Sequence, residues 1–214
     1  MKSPLLRRHF SLLVLSAFFT GASRAAAPRP ATILVLGDSL SAEYGLQRGE
    51  GWVALLQARL DQEKIPAQVI NASISGDTTS GGRSRLAALL ALHKPRVLVI
   101  ELGGNDALRG LPVAMTQDNL HAMAVSAKAA GAKVLLLGMQ VPPNYGQSYA
   151  TQFSELFKQV AKEQQTALVP FLLKGVADGP DALKLFQADR IHPLAAAHPA
   201  ILNNVWPVLK KLLG

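Results

Sequence analysis

The hydrophobic positions of the chain form two kinds of pattern that alternate along its length. Short apolar runs without regular polar alternation are typical of strands that are covered on both faces. Five such runs occupy residues 32–36, 69–71, 97–101, 134–138 and 168–169. Between them, apolar side chains recur at helical spacing, for example at Leu86, Leu89 and Leu90. Because strands and helices alternate, the sequence predicts an α/β fold with a parallel sheet and right-handed crossovers.

The first residues carry the pattern of an export signal. Lys2, Arg7 and Arg8 precede an apolar run at 12–19, and a tract of mostly small residues follows at 21–27. The run is shorter than the roughly 20 apolar residues that a membrane-spanning helix needs. We therefore expect a cleaved signal peptide at residues 1–27, a single domain at 28–214, and a periplasmic or secreted protein with no stable membrane anchor.

The composition narrows the class of protein further. The chain contains no cysteine, so an exported form has no disulfide and must be stabilised by its own core. Four of the basic residues behind the formal charge of +8 lie in the predicted signal, which leaves +4 for the mature chain. The remaining basic residues are not interleaved with aromatic ones, and this argues against a nucleic-acid surface. The sequence has no phosphate-binding glycine loop and no cysteine-supported histidine pair, so we expect no cofactor and no metal.

Polar, glycine-bearing turns follow three of the predicted strands. They lie at residues 37–41, 76–77 and 103–106, and they are expected to meet because the carboxyl ends of parallel strands share one edge of a sheet. Ser39 stands in the first turn, where a helix is expected to begin, and an exposed hydroxyl in that position suits a nucleophile. A serine after Gly-Asp is by itself more often a cap or a turn residue. The joint occurrence of the three blocks is what favours catalysis.

A serine hydroxyl needs a base that takes its proton, and His192 is the best candidate among the five histidines. It follows Asp189 by three residues in a proline-bounded turn, so the carboxylate is expected to orient the imidazole and to stabilise its charged form. His93 and His121 are interpreted as surface or boundary residues. His198 lies beside a proline but has no upstream aspartate, and we interpret it as an exposed residue at a helix start.

An acyl-transfer site also needs hydrogen-bond donors for the oxyanion of the tetrahedral intermediate. The sequence offers three: the backbone N–H of Ser39, the backbone N–H of Gly76 and the side-chain amide of Asn105. Glycine at position 76 allows a close backbone approach, and the Gly-Gly pair at 103–104 lets the chain turn so that Asn105 reaches inward. Taken singly, each block is also a plain loop sequence.

Four blocks supply a serine, a glycine, an asparagine and a histidine in that order, at residues 37–41, 71–79, 103–110 and 191–193. With these blocks the chain resembles the SGNH hydrolase superfamily, also called the GDSL family. The second and third blocks, together with the segment at 139–146, are similar to one branch of it, the periplasmic multifunctional thioesterases, lysophospholipases and arylesterases. The resemblance covers almost the whole chain after the predicted signal.

The resemblance implies a three-layer α/β/α fold of flavodoxin-like type with a parallel five-stranded sheet. It implies that Ser39 is the nucleophile, His192 the base and Asp189 the residue that orients it, with Ser39, Gly76 and Asn105 as the oxyanion hole. In this family the acyl chain lies in an apolar groove between two loops. Here those loops would contribute the substrate-binding residues Leu108, Leu111, Pro143 and Tyr145.

Two residues depart from the family pattern. Glu43 stands where close relatives usually have glycine, and Arg190 stands between Asp189 and Ile191, where glycine is usual. Neither replaces a catalytic group. We expect Arg190 to restrict the turn or to pair with Asp189, and we expect Glu43, near the mouth of the site, to alter the preference for charged substrates.

The sequence therefore predicts a secreted, monomeric serine esterase and thioesterase that hydrolyses small-molecule acyl esters and thioesters through an acyl-serine intermediate. Aryl esters, acyl-CoA and lysophospholipids all present the same carbonyl to Ser39. Two alternatives stay open. One is a carbohydrate O-acetyl esterase that uses the same residues on a short acyl group, and the other is a non-catalytic periplasmic binding protein on the same fold.

Overall fold

The computed structural model describes residues 30–141 and 143–214, and the predicted signal peptide lies outside these residues. The described chain contains five strands and six α-helices that alternate through most of its length. The strands are β1 (Ala31–Gly37), β2 (Ala67–Asn71), β3 (Val97–Glu101), β4 (Lys133–Leu137) and β5 (Ala167–Val169). The helices are α1 (Trp52–Gln62), α2 (Thr79–His93), α3 (Gly104–Leu108), α4 (Val113–Ala129), α5 (Gln147–Gln164) and α6 (His198–Leu213).

The five strands form one parallel sheet in the order β2-β1-β3-β4-β5. Ile33 of β1 is level with Val69 of β2 and with Val97 of β3. Each predicted apolar run coincides with one strand, although β2 begins two residues earlier than the run at 69–71. The pattern missed these two residues because β2 is an edge strand and Gln68 is exposed there.

The helices pack in two groups, one on each face of the sheet. Helices α1 and α6 contact each other, whereas α2 contacts α4 and α4 contacts α5. All five residues of β3 are buried because this strand lies between two neighbours and under both groups of helices. The predicted α/β fold with a parallel five-stranded sheet between two helical layers is confirmed.

The carboxyl edge of the sheet gathers the turns that carry the polar blocks. The N–H of Ile74 donates to the carbonyl of Gly37 at 3.0 Å, and the N–H of Ala72 donates to the carbonyl of Val35 at 2.9 Å. These bonds fasten the turn after β2 to the end of β1. Among the described helices, none is long and apolar enough to cross a bilayer.

Candidate active site

Ser39 lies on a tight turn directly after β1. A Cβ atom at position 37 would lie 2.8 Å from Ser41 Oγ and 2.9 Å from Glu101 Oε2, so only glycine fits where the strand ends. The N–H groups of Ser41 and Ala42 donate to the carbonyl of Asp38 at 3.2 and 2.9 Å and close the turn. Ser39 is thereby fixed at the carboxyl edge of an inner strand.

The prediction that a helix begins at Ser39 is wrong. Residues 39–45 form turns, and α1 begins only at Trp52. Glu43 and Gly45 have φ angles of 59° and 71°, which a right-handed helix does not accept. Ser39 therefore has no helix N-terminus of its own, and the activation of its hydroxyl falls to a side-chain base.

The imidazole of His192 bridges Ser39 and Asp189. Its Nε2 lies 2.8 Å from Ser39 Oγ, and its Nδ1 lies 2.7 Å from Asp189 Oδ2. The other Asp189 oxygen accepts the N–H groups of Ile191 and His192 at 2.9 and 3.0 Å. The hydrogen bond from the His192 ring, followed by the two backbone N–H groups, lowers the pKa of Asp189 to about 2. Asp189 is thus ionised at neutral pH, and it holds the proton of the neutral imidazole on Nδ1 so that Nε2 can accept from Ser39.

Arg190 does not disturb this contact. Within the described residues it forms no ion pair with Asp189, whose oxygens are engaged by His192 and by the backbone. Arg190 has a φ of 58°, in the left-handed region where glycine is favoured. The expected pairing with Asp189 is therefore wrong, and the expected restriction of the turn takes the form of an unfavourable backbone conformation at Arg190.

Asn105 and Gly76 stand on the two neighbouring turns. Asn105 is the second residue of α3, and its Nδ2 donates to Asp38 Oδ2 at 3.0 Å, which leaves the second N–H of the amide available to a ligand. Gly76 has a φ of 80°, and its carbonyl accepts from Arg109 Nη2 at 2.7 Å. Among the described residues, the backbone N–H of Gly76 donates to no other backbone group, so it is available as a donor.

Two polar contacts, one buried and one partly buried, tie these turns to the helices behind them. Asp106 accepts the N–H of Thr79 at 2.8 Å and also the Thr79 hydroxyl, so α3 is fastened to the start of α2. Asp77 accepts from Arg85 at 2.7 Å, and Arg85 also donates to the carbonyl of Ala72. These contacts hold the turn after β2 and the turn after β3 in one arrangement.

Comparison with known proteins bears on this geometry. The model of the GDSL-like lipase/acylhydrolase family matches residues 35–200, which span all four blocks. The chain belongs to this family. The prediction of a GDSL/SGNH ester hydrolase is confirmed.

Two curated relatives show how similar in sequence this GDSL-like chain is to other members of the family. Esterase TesA of Pseudomonas aeruginosa is 57% identical over 182 residues, which cover 85% of this chain and 89% of that protein. Thioesterase 1/protease 1/lysophospholipase L1 of Escherichia coli strain K12 is 43% identical over 205 residues, covering 96% and 92%. A crystal structure of TesA has a TM-score of 0.81 at 57% identity and covers 85% of this chain and 99% of its own.

In this GDSL-like hydrolase, Tyr44 covers the imidazole. The rings of Tyr44 and His192 have centroids 4.3 Å apart, and the Tyr44 carbonyl accepts from Gln187 Nε2 at 2.9 Å. The N–H of Gln187 donates to the His192 carbonyl at 2.8 Å. Sequence reasoning missed both Tyr44 and Gln187, because no motif marks them and their contacts join distant segments of the chain.

The predicted substrate-binding residues lie at the end of α3, on the loop that follows it, and on the loop before α5, and Tyr149 contacts one residue of each loop. The Tyr149 hydroxyl lies 3.5 Å from the carbonyl of Leu111, and its ring stacks on Tyr145 with centroids 6.2 Å apart. Leu108 is exposed at the end of α3. Pro143 begins the short 3-10 segment Pro143–Tyr145. The two loops therefore adjoin each other, and a role in binding substrate stays a prediction for all four residues.

Glu43 has a structural role in this family member. Its Oε1 accepts the N–H groups of Gly49 and Gly51, both at 2.9 Å, and so closes the loop that precedes α1. Glu43 also lines a cleft of about 340 Å³ together with Arg48 and Asn71. Its carboxylate is thus already engaged by the backbone, and the expected effect on charged substrates stays a prediction.

The interpretation of His198 as an exposed residue is wrong. Only 2% of the residue is exposed, and its Nδ1 accepts the N–H of Trp52 at 3.0 Å. Trp52 is the first residue of α1, so its N–H has no partner in its own helix. His198 therefore joins the start of α6 to the start of α1.

Replacing His198 with alanine is expected to lower the free energy of unfolding by about 1 to 3 kcal/mol at about pH 7.5, because it leaves the buried Trp52 N–H without a partner. Burial lowers the pKa of His198 below its ordinary value of 6.5. The folded chain thus favours the neutral ring, and this stability is present above pH 6.5 and lost as the pH falls below it. Urea unfolding of the parent and of His198→Ala should show a difference that narrows towards acid pH.

His93→Ala is the matched control for this measurement, since it removes a partly exposed histidine from the end of α2. Its stability should track that of the parent at every pH. A difference between the parent and His198→Ala that stays constant from neutral to acid pH would contradict the linkage.

The described residues include no cluster of three or more histidine, aspartate or glutamate side chains that is arranged to hold a metal ion. The polar groups gathered around Ser39 are a base, a carboxylate that orients it and hydrogen-bond donors. Such a set suits nucleophilic acyl transfer.

Proposed function

We propose that this protein is an exported esterase and thioesterase that cleaves small acyl esters and thioesters, among them aryl esters, acyl-CoA and lysophospholipids, through an acyl-serine intermediate. The observation that carries the proposal is the chain of hydrogen bonds from Asp189 through His192 to Ser39. Asp189 Oδ2 lies 2.7 Å from His192 Nδ1, and His192 Nε2 lies 2.8 Å from Ser39 Oγ. The relatives at 57% and 43% identity, an esterase and a thioesterase/protease/lysophospholipase, support the class of substrate.

Acylation follows from the geometry of the three side chains. Ser39 Oγ attacks the carbonyl carbon as its proton passes to His192 Nε2, and ionised Asp189 stabilises the imidazolium that forms. The N–H groups of Ser39 and Gly76 and the amide of Asn105 bind the oxyanion. When the intermediate collapses, the bond to the leaving oxygen or sulfur breaks, and His192 returns the proton to the departing alcohol or thiol.

Deacylation uses the same groups with water in place of the alcohol. His192 Nε2 takes a proton from water, the resulting hydroxide equivalent attacks the acyl carbon, and the oxyanion occupies the same donors. Collapse releases the carboxylic acid and returns the proton to Ser39 Oγ. Every proton in the cycle moves between Ser39, His192, water and the leaving group, so the residues of the chain suffice for the reaction.

The surroundings of Ser39 favour an acyl group longer than acetyl. Exposed apolar side chains stand on each turn near the site, at Tyr44, Ile74, Leu108 and Ile191. Leu108 adjoins the loop that ends at Leu111, which meets Tyr145 across Tyr149. We assign the acyl chain to Leu108, Leu111, Pro143 and Tyr145, and the alcohol or thiol side to the remaining exposed surface.

The rest of the proposal concerns where the enzyme works. We propose that residues 1–27 form a cleaved signal peptide, and that residues 28–214 act as a single domain and a monomer in the periplasm or outside the cell. The charged start, the short apolar run and the small residues of the first segment support export.

A series of p-nitrophenyl esters tests the substrate class. We expect kcat/KM to be at least about tenfold higher for hexanoyl or octanoyl esters than for acetyl, since each added methylene gains burial against the apolar loops. Acyl-CoA and lysophospholipid should also be hydrolysed. Leu108→Ser should reduce this chain-length preference, whereas Leu92→Ser, which changes an exposed leucine on α2, should leave it unchanged.

Activity confined to acetyl esters would instead support the carbohydrate O-acetyl esterase, and acetylated sugars would then be the better substrates. A purified protein that turns over no ester at all would support the non-catalytic binding protein.

A further inference from the structure

A second carboxyl group lies directly behind the nucleophile turn and has no part in the mechanism described so far. Glu101 ends β3 and is 0% exposed. Its Oε2 accepts the Ser41 hydroxyl at 2.7 Å and the N–H of Asp38 at 3.3 Å. Among the described residues, its Oε1 has no hydrogen-bond donor, although it is buried. A buried carboxylate oxygen without a donor is costly, whereas a protonated carboxyl group is itself a donor.

Asp38 is the neighbouring carboxyl group, and its two oxygens are both engaged. It is 2% exposed, and its Oδ1 accepts the N–H of Leu40 at 3.0 Å while its Oδ2 accepts Asn105 Nδ2 at 3.0 Å. Both bonds favour the ionised form of Asp38. One of them holds the amide that we assign to the oxyanion hole, and the other shapes the turn that carries Ser39.

Two adjacent buried carboxyl groups cannot both be ionised at low cost, so one of them keeps a proton. Burial raises the pKa of Asp38 to about 6, against the hydrogen bonds that it accepts. Burial first, and the adjacent Asp38 charge second, raise the pKa of Glu101 well above its ordinary value. The ionisable groups that act on the pair are the two carboxyls themselves and His192, whose charge favours ionised Asp38. At neutral pH, Asp38 therefore carries the charge and Glu101 the proton.

We propose that Glu101 is a positioning residue: it is held as a neutral carboxylic acid that donates its proton to Asp38 in a hydrogen bond, and the pair fixes the Asn105 amide for the oxyanion. Neutral Glu101 attracts the Asp38 carboxylate through this hydrogen bond, whereas ionised Glu101 would repel it. Displacement of Asp38 would carry with it the amide of Asn105, which is bonded to it at 3.0 Å. The role rests on the proposed hydrolytic function, because it is exerted through the oxyanion hole.

Carbon-13 NMR of the glutamate carboxyl carbons tests the protonation state without any need for activity. In a titration from about pH 5 to pH 10, we expect one glutamate carboxyl of the parent to stay protonated at neutral pH and to titrate far above the ordinary range. That signal should be missing from Glu101→Gln. It should persist in Glu155→Gln, a matched change at a partly exposed glutamate on α5. If every glutamate carboxyl is ionised by neutral pH, the proposal is overturned.

The pH dependence of kcat tests the positioning role. Glutamine keeps a donor towards Asp38 and an acceptor for Ser41, so near neutral pH Glu101→Gln should keep kcat within about tenfold of the parent, with KM unchanged. As the pH rises through the titration of Glu101, kcat of the parent should fall. The glutamine variant has no proton to lose at this position and should lack this decline. Identical alkaline profiles for the parent and Glu101→Gln would refute the role.

A double-mutant cycle with Asn105→Ala identifies the route of the effect. If Glu101 acts through Asn105, the parent and Glu101→Gln profiles should become alike once the amide is removed, because nothing is left to position. If Glu101→Gln changed the alkaline kcat profile by the same factor with Asn105 present and with Asn105→Ala, Glu101 would act by another route, and this would contradict the proposal. The activities of the parent and of Ser39→Ala are measured in the same experiment. A failure of the proposed hydrolytic function is then recognised separately from a failure of the Glu101 role.

Discussion

Replacing Ser39 with alanine is expected to lower kcat on an aryl ester by about a thousandfold or more, because the nucleophile, base and carboxylate act as a unit. His192 Nε2 lies 2.8 Å from Ser39 Oγ in the parent, and in the variant it has no hydroxyl to activate. The residual rate then comes only from substrate binding and the oxyanion donors. Hydrolysis of p-nitrophenyl esters by purified parent and variant measures the loss.

Ser126→Ala is the matched control, since Ser126 lies exposed on α4 and bonds only within its own helix. It should keep the full rate, and both variants should unfold at the temperature of the parent. A fluorophosphonate reagent, which reacts with activated serines, should label the parent and Ser126→Ala but not Ser39→Ala. Equal turnover by the parent and Ser39→Ala would refute the assignment of the nucleophile.

The fold could be predicted from the sequence because its main signal is local. A strand that is covered on both faces needs an uninterrupted apolar run, and residues 97–100 provide one in the middle of the sheet. The arrangement of Asp189 and His192 was also local, since His192 lies three positions after Asp189 in one turn. Ser39 and Asn105 were found by position, because each follows a strand that ends at the same edge.

The features that the sequence did not predict depend on contacts between distant segments. His198 reads as an exposed residue at a helix start, yet it is buried by the docking of α6 against α1 and bonds to Trp52, 146 residues away. Glu101 reads only as the polar end of a strand. Its pKa is raised first by burial and second by the charge of Asp38, which lies 63 positions earlier in the chain, whereas the hydrogen bond from Ser41 lowers it.

The turn after Ser39 shows how a local rule was overridden. A polar residue at the end of a strand commonly begins a helix, and this led to the expectation of one there. The left-handed backbone at Glu43 and Gly45 prevents it. In its place Tyr44 is carried over the His192 ring, at 4.3 Å between centroids. No residue pattern predicts this contact, because it depends on the backbone path of seven turn residues rather than on their residue types.

Replacing Asn105 with alanine is expected to lower kcat by about 100- to 1,000-fold with little change in KM, because the amide acts on the oxyanion and not on the ground-state carbonyl. One N–H of the amide is fixed by Asp38 at 3.0 Å, so the other is oriented before substrate arrives. A preoriented donor needs no rearrangement during the reaction, and this is why its loss falls on kcat. Steady-state kinetics on the best p-nitrophenyl ester measure both constants.

The control is Asn203→Ala, which removes an exposed asparagine that accepts only from Arg59 on α1. It should leave kcat and KM unchanged. If Asn105→Ala raised KM at constant kcat, the amide would bind substrate and transition state equally and would not belong to an oxyanion hole. If neither constant changed, the N–H groups of Ser39 and Gly76 would suffice for the oxyanion. Asp38 and Glu101 would then hold an amide without a catalytic task, so this measurement bears on the buried carboxyl pair as directly as on Asn105 itself.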